Sequence, residues 1–594
     1  MANLDLGVIG NCSYAGLIDK TAKIVWCCLP RFDGDPVFNQ LLRGDGDDPF
    51  DGAFSIELED LQSSEQHYEP KTAVLVTTLH GPSGSLEVID CAPRFWWRDR
   101  IFRPQTLVRR IRPLSGRPRI TIRLRPTFNH GLEKAETSHG SNHIRYFGRH
   151  AALRLVTDAP TDYILAERAF NLTSPLDLIL GPDETLQGSV GDTARSFVER
   201  TTHHWLHWVS RLALPFEWQD AVIRAAITLK LCTYEQTGAI VAAMTTSIPE
   251  APNSGRNWDY RFCWLRDAFF VVRALNTLGE IEAMEDYFRF LMDVVTDADG
   301  GHLQPVFGIG RERDLVERAL PQFSGYRGMG PVRIGNQAHE HYQHDVYGNV
   351  ILGAAQMFFD RRIRMDTGPA EFRMLEAAGE QAYKLHAEPD AGMWELRTRA
   401  RVHTSSSLMC WAACDRLSHI AGKVGVPDRA AVWRARADEI KARIHADAWS
   451  EKRQAFVESF GGESLDASVL LMVEVGFIDP QDERFIKTVG QLERTLARGA
   501  HLMRYEAPDD FGVPEVGFNI CAFWRLDALA RIGRREEARE LFTSLLESRN
   551  NLGLLSEDTD CITGEMWGNY PQTYSMVGII NGARRLSRPW ESVI

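Results

Sequence analysis

The sequence predicts two domains: an antiparallel β-sandwich over residues 1–190 and, after a helical linker at 191–214, a toroid of six helix hairpins over 215–594. Three observations lead there. At 594 residues the chain exceeds what one hydrophobic core usually organises. Its apolar residues alternate at a period of two in the first third and recur at three and four thereafter. Long aperiodic segments then interrupt the helices after about every second one, as loops gathered on one face of a toroid would.

From residue 1 to about 190, runs such as AKIVWCCLPRF, TAVLVTTL, GSLEVIDCA, PQTLVRRIRPL and RITIRLRPTF are separated by Gly, Pro, Asp and Ser. Alternation puts apolar side chains on one face of each pleated strand, and the punctuation supplies turns, so antiparallel pairing follows. The pattern changes at DTARSFVERTTHHWLHWVSRLAL, whose spacing predicts an amphipathic linker helix; His203, His204 and His207 on it fit surface or interdomain packing. Beyond it, helical spacing recurs at 217–233, 266–278, 282–296, 345–360, 369–387, 404–423, 428–447, 465–475, 482–497, 517–531, 533–549 and 570–586. Loops 243–265, 297–344, 388–403, 498–516 and 550–569 hold most of the unusual chemistry, and long loops in compact domains are usually functional.

Hydrophobic residues at 44% and charged residues at 25% describe a chain able to bury a core. The net charge of −13 disfavours nucleic acid, whose binding needs a basic face, and leaves a neutral sugar open as partner. The ten cysteines show no CxxC pair, so neither structural zinc nor a disulfide framework is expected; Cys410 and Cys414 read as buried small hydrophobes. No basic segment with a following apolar run opens the sequence and no apolar stretch suits a membrane span, so a cytoplasmic protein without membrane partner is expected. No cofactor is expected, and a homo-oligomer formed through a sandwich edge stays open.

The densest chemistry lies in RNWDYRFCWLRDAFFVVRAL, residues 256–275, where Trp258, Tyr260 and Trp264 alternate with Asp259, Arg261, Arg266 and Asp267 as a helix begins. Aromatic faces cover the C–H faces of a pyranose, while Arg and Asp bond its hydroxyls directionally. A helix start with Asp267 near the positive end of the macrodipole, over core tryptophans, explains the same residues. In AGMWELRTRARVHTSSSLMCW, Glu395 follows Trp394 ahead of a helix starting near Thr404 or Ser405. An indole beside a carboxyl disfavours its ionised form, as a general acid requires; pairing with Arg397 or Arg399 in solvent is the plainer alternative.

LLSEDTDCITGEMWGNYPQTYSMV crowds Glu557, Asp558, Asp560 and Glu565 near Trp567 and Tyr570. Alone this reads as a solvated acidic loop; set against Glu395 it suggests the paired carboxyls of a glycosidase. HLMRYEAPDDFGVPEVGFNICAFW offers Arg504 and Tyr505, as a hydroxyl clamp or as a salt bridge with Glu506. His339, His341 and His344 are spaced for a metal together with Asp345, but no second His or Cys cluster matches them, so hydrogen bonding beside a substrate or loop capping is preferred and no metal is expected.

In this order, LGVIGNCSYAGLIDKTAKIVWCCLPRFDGDPVFNQLL, TTSIPEAPNSGRNWDYRFCWLRDAFF, GIGRERDLVERALPQFSGYRGMGPVRIGNQA with QHDVYGNV, MWEL, RYEAPDDFG, GFNICAFW and LLSEDTDCITGEMWGNYPQTYS resemble glycoside hydrolase family 15, the family of glucoamylases, glucodextranases and bacterial trehalases. The resemblance spans nearly the whole chain. It implies a six-hairpin (α/α)6 barrel behind the sandwich, Glu395 as general acid and Glu557 as general base. It further implies that Trp264, Arg266 and Asp267 hold the terminal glucose, that Arg504 binds a hydroxyl and that Trp394 lines the pocket. Trp258, Tyr260, Tyr505 and Trp567 complete the expected substrate-binding set.

The implied activity is inverting and exo-acting, releasing β-glucose from the non-reducing end of trehalose or of an isomalto- or malto-oligosaccharide. An inverting pair must leave room for water, which sets the carboxyls about 6.5–9.5 Å apart. The chain departs from the family at three places: Leu396 stands where glucoamylases carry a second glutamate, Thr398 where trehalase-like members show glycine, and Met576 where they show histidine. The preferred linkage, α-1,1, α-1,4 or α-1,6, therefore stays open. The histidine-rich HEHYQHD is expected on the aglycone side. Two alternatives remain at this level: an inverting disaccharide phosphorylase, which needs no base such as Glu557, and a non-catalytic carbohydrate-binding protein that kept the aromatic pocket.

Overall fold

Alternating apolar residues build two antiparallel sheets in the N-terminal part of the chain. In a computed structural model that describes residues 2–44, 48, 50–298, 300–365 and 367–592, one sheet runs Leu6–Gly10, Ala15–Asp19, Ile24–Leu29, Ala53–Leu58, Arg119–Arg125, Phe170–Asn171, with Asp35–Phe38 also on the third strand. The other runs Glu136–His139, His143–Phe147, Ala152–Thr157, Leu176–Gly181, Leu107–Gly116, Gly84–Cys91, Leu75–Gly81, Ser63–Tyr68. Phe54, Ile56 and Ile122 from the first sheet meet Leu75, Val88, Ile111 and Leu155 from the second in a shared core. The edge strands Ser63–Tyr68 and Glu136–His139 carry SSEQHY and ETSH, polar sequences that discourage edge-to-edge pairing. An ion pair is buried inside the sandwich: Arg109 pairs with Asp90 at 2.7 Å and donates to the Phe54 carbonyl at 2.8 Å, so its desolvation is compensated.

The linker helix spans Val190–Ser210, capped by the Ser189 side chain, which accepts from the Asp192 amide. Its Trp205 is fully buried. His204 accepts a hydrogen bond from Arg94 at 3.0 Å; burial first, and then Arg94, push its pKa down to about 3, so the ring serves as a neutral interdomain acceptor.

Twelve helical stretches follow among the described residues, in the order expected. The inner ring is Leu265–Thr277, Asp345–Ala355, Thr404–Lys423, the turn at Ala467–Leu470 continuing into Leu471–Glu474, Asn519–Arg531 and Thr573–Leu586, each packed on the next and the last on the first. Gln219–Leu231, Glu282–Ala298, Pro369–Leu385, Pro427–Asp447, Glu483–Leu496 and Arg535–Glu547 alternate with them along the chain, which makes the (α/α)6 barrel. The inner helices are buried on nearly every face; Asp345–Ala355 has no exposed position at all. Two helices are shorter than the periodicity predicts. The stretch at 465–475 opens as a 3-10 turn, with Asp466 accepting from the Ser468 amide, and stops at Gly476, whose φ of 81° ends the helix in the left-handed region. The stretch at 345–360 leaves α geometry after Ala355.

The sandwich abuts the barrel's first long loop. The Trp26 indole donates to the Met244 carbonyl at 2.8 Å, Arg261 reaches the Gly34 carbonyl at 3.1 Å, and Lys230 joins Glu235 and Glu280 in a buried ionic cluster with Arg94. No helix among the described residues is long and apolar enough to cross a membrane.

Candidate active site

The long loops converge on one concavity that opens to solvent. Each of the five contributes to its wall: Glu250, Arg256, Trp258, Tyr260 and Trp264 from 243–265; Asn336, Ala338 and His341 from 297–344; Met393 to Arg397 from 388–403; Arg504 and Tyr505 with Asp509 to Phe511 from 498–516; and Glu557 from 550–569. The floor comes from the first turns of inner helices, with Arg266, Asp267 and Tyr574.

Glu395 and Glu557, 162 positions apart in the chain by their numbering, face the same concavity. Glu395 sits on a tight turn with φ of 62°, a strained conformation for a residue with a side chain, and its amide bonds the Gly392 carbonyl at 3.1 Å. Gly392 itself has φ of 67°, and a β-carbon there would meet the His403 ring at 2.7 Å, so the turn tolerates nothing larger. Glu395 accepts from the Trp264 indole at 2.6 Å and from Arg266 at 3.5 Å, and its side chain is 23% exposed. Arg397 turns away to Glu317 at 2.9 Å, so the solvated Glu395–Arg397 pair does not form.

Glu557 is held deeper, at 1% exposure. The extended segment after it pairs with Gly517–Phe518 and with Met566–Trp567, which fixes its backbone. Its Oε1 accepts from the Tyr260 hydroxyl at 2.7 Å and its Oε2 has no protein partner. Burial, and next the negative charge of Glu250, push its pKa up to about 8, against the pull of the Tyr260 hydrogen bond and of Arg504. Asp267 is likewise raised by burial, to about 6, although Arg266 stands beside it.

Trp258 donates to Glu250 at 3.0 Å, and Arg504 ion-pairs with Glu250 rather than with Glu506, which pairs with Arg453. Tyr505 donates to Asp509 at 2.6 Å. Trp394 lines the concavity but its indole nitrogen points to Asp466 at 2.7 Å; the indole bonded to Glu395 belongs to Trp264. Trp567 lies outside the wall, packed edge-on against Tyr326 at 6.0 Å and under Arg327. Arg261 and Asp259 pair with one another at 2.7 Å, facing the sandwich. Of the three histidines, His341 lines the cavity, His339 bonds the Asn336 carbonyl and the His344 amide donates to Asp390. The described residues hold no group of three or more side chains suited to a metal. Sequence reasoning missed Glu250, Arg256, Asn336, Asp509, Asp510, Phe511 and Tyr574, all of which lay unremarked inside motifs already singled out.

A sandwich followed by an (α/α)6 barrel, with two carboxyls, aromatic walls and arginines around one concavity, defines a carbohydrate-active hydrolase architecture. Comparison with known proteins makes this specific. Residues 218–584 match the family described as glycosyl hydrolases family 15, and residues 5–167 match the domain described as trehalase-like, N-terminal. The chain belongs to glycosyl hydrolase family 15 and is a glycoside hydrolase. It is 32% identical to a trehalase of Mycolicibacterium smegmatis, over 99% of this chain and 91% of that protein, and 31% identical to a trehalase of Thermoplasma volcanium, over 98% and 93%. Among solved structures, a bacterial glucoamylase complexed with acarbose superposes with a TM-score of 0.68 at 12% identity, covering 98% of this chain and 94% of that one, a likeness of fold.

Proposed function

We propose that the protein hydrolyses a short α-glucoside, trehalose foremost, with inversion to β-glucose, Glu395 acting as general acid and Glu557 as general base. The observation that carries this reading is the shared holding of both carboxyls: the Tyr260 hydroxyl and the Trp264 indole, four residues apart, bond Glu557 and Glu395 across one concavity. Glu395 protonates the glycosidic oxygen. Glu557, once ionised, takes a proton from the water that attacks the opposite face of the anomeric carbon through its otherwise unpartnered Oε2. Trp264, Arg266 and Asp267 grip the terminal glucose, Trp258, Tyr505 and Trp394 wall the pocket, and Arg504 bonds a hydroxyl.

The choice of trehalose is supported by the names of full-length relatives from bacteria and archaea, each called a trehalase. Action in the cytoplasm is supported by ten free thiols, nine of them buried, which suit a reducing compartment. The test is a substrate panel of trehalose, isomaltose, maltose, dextran and starch followed by product NMR. Initial release of β-glucose, fastest from trehalose, is expected; initial α-glucose, or a requirement for phosphate with glucose 1-phosphate as product, overturns the reading.

A further inference from the structure

The loops that carry Glu395 and Arg504 are bolted together at the outer rim of the concavity. Asp510 accepts the Arg397 amide at 2.6 Å through Oδ2 and the Thr398 hydroxyl through Oδ1, spanning 113 positions of sequence. Arg399 donates to the Pro508 carbonyl next to it. Just inside, the Arg397 guanidinium lies 4.4 Å over Trp258 and Phe511 meets the same indole edge-on at 5.3 Å. Arg333 is 5.0 Å from that ring as well, and Glu317 ties Arg397 to Arg333. Trp258 thus lines the concavity with three side chains packed around its ring.

Position along the reaction axis gives this rim a role. Arg397 and Thr398 come just after Glu395, beyond Leu396, so on the reading proposed above they flank the leaving sugar, whose oxygen Glu395 protonates. Asp510 lies opposite them, and Arg256 stiffens its loop from below through Asp509 at 2.6 Å and the Gly512 carbonyl at 2.9 Å. An open cleft would leave these loop ends apart; here a charged side chain is committed to joining them.

We propose that Asp510 is a specificity-determining residue: by tying 397–399 to the 508–512 loop it closes the leaving-group side, so that one sugar unit fits beyond the scissile bond and a chain does not. The inference rests on the function proposed above and adds the residue that limits substrate length.

The test compares each disaccharide with a longer substrate that keeps the same bond to a terminal glucose: trehalose with maltosyltrehalose, isomaltose with isomaltoheptaose, maltose with maltoheptaose. The wild-type protein is expected to favour the disaccharide of its preferred linkage by about a hundredfold in kcat/KM, and Asp510→Ala to narrow that ratio at least about tenfold, chiefly through a lower KM for the extended substrate. Arg399→Ala, which removes a half-buried side chain outside the cavity wall, narrows the ratio by about threefold with disaccharide turnover unchanged, and so reads the rim even if Asp510→Ala fails to fold. Equal use of both lengths by the wild type, or a wild-type ratio in both variants, overturns the proposal. Failure of the wild type on every disaccharide overturns the underlying activity instead, and the rim's role with it.

Discussion

The Tyr260 hydroxyl donates to Glu557 Oε1 at 2.7 Å, and four residues on, the Trp264 indole donates to Glu395 at 2.6 Å, the two rings lying 5.3 Å apart. One short segment thus sets the position of both carboxyls, which come from loops far apart in sequence.

If these carboxyls are the acid and the base, Glu395→Gln and Glu557→Gln each lower kcat on trehalose by about 10²–10⁴-fold while Tm stays near that of the wild type. Steady-state assays beside thermal melts check this; near-normal turnover in either folded variant removes that residue from the chemistry.

The Tyr260 hydrogen bond favours ionised Glu557, opposing burial and Glu250. Tyr260→Phe therefore raises the Glu557 pKa, and the acid limb of the kcat/KM profile, which follows ionisation of the base, moves to higher pH. An unmoved limb shows that another group controls it.

Glu250 works in the opposite direction. Its negative charge is the largest contribution after burial to holding Glu557 protonated. Glu250→Gln thus lowers the Glu557 pKa and shifts the acid limb to lower pH, even if kcat falls because Arg504 loses its partner. The sign of the shift, compared with Tyr260→Phe, is the diagnostic measurement.

Asp390 offers a test on stability. Burial pushes its pKa up to about 7, although Ser406 and the His344 amide both donate to Oδ2, and its Oδ1 has no partner. A carboxyl whose folded pKa lies above its unfolded one adds stability that is complete below about pH 4 and is lost as pH rises through about 7. Asn keeps the acceptor and cannot ionise, so Asp390→Asn flattens the decline of stability between pH 5 and 8. Each tenfold in proton affinity is worth about 1.4 kcal/mol, and roughly two pH units of the decline fall between pH 5 and the folded pKa, giving a differential of up to about 3 kcal/mol, read by denaturant melts at both pH values.

The fold was legible in the sequence because periodicity reports burial: all twelve barrel segments were visible as apolar spacing, and the strands as alternation. What periodicity cannot see is a helix ended by its caps, as at Ser468 to Gly476. The candidate site was legible where aromatics and carboxyls crowd a loop, as around Trp264 and Glu557. The partners were not. Trp394 precedes Glu395 in sequence, yet the left-handed turn at Glu395 sends that indole to Asp466 and hands the carboxyl to Trp264, a contact across 131 positions. Trp567 shares a loop with Glu557, but strand pairing places it outside the wall. Glu250 is the one charge in the TTSIPEAP opening of its motif, and only folding brings it to Arg504.

Arg261 stands between Tyr260 and Trp264 in the chain and looks the other way, to Asp259, the Gly34 carbonyl and the Cys28 sulfur. The ribbon that holds the two carboxyls is therefore anchored from behind by the amino-terminal domain, through Cys28 of a strand and Gly34 of the turn after it, which on the proposed mechanism serve it as a mount serves a lens. Cutting the barrel free at the linker would remove that mount, so the sandwich and the barrel form one working unit.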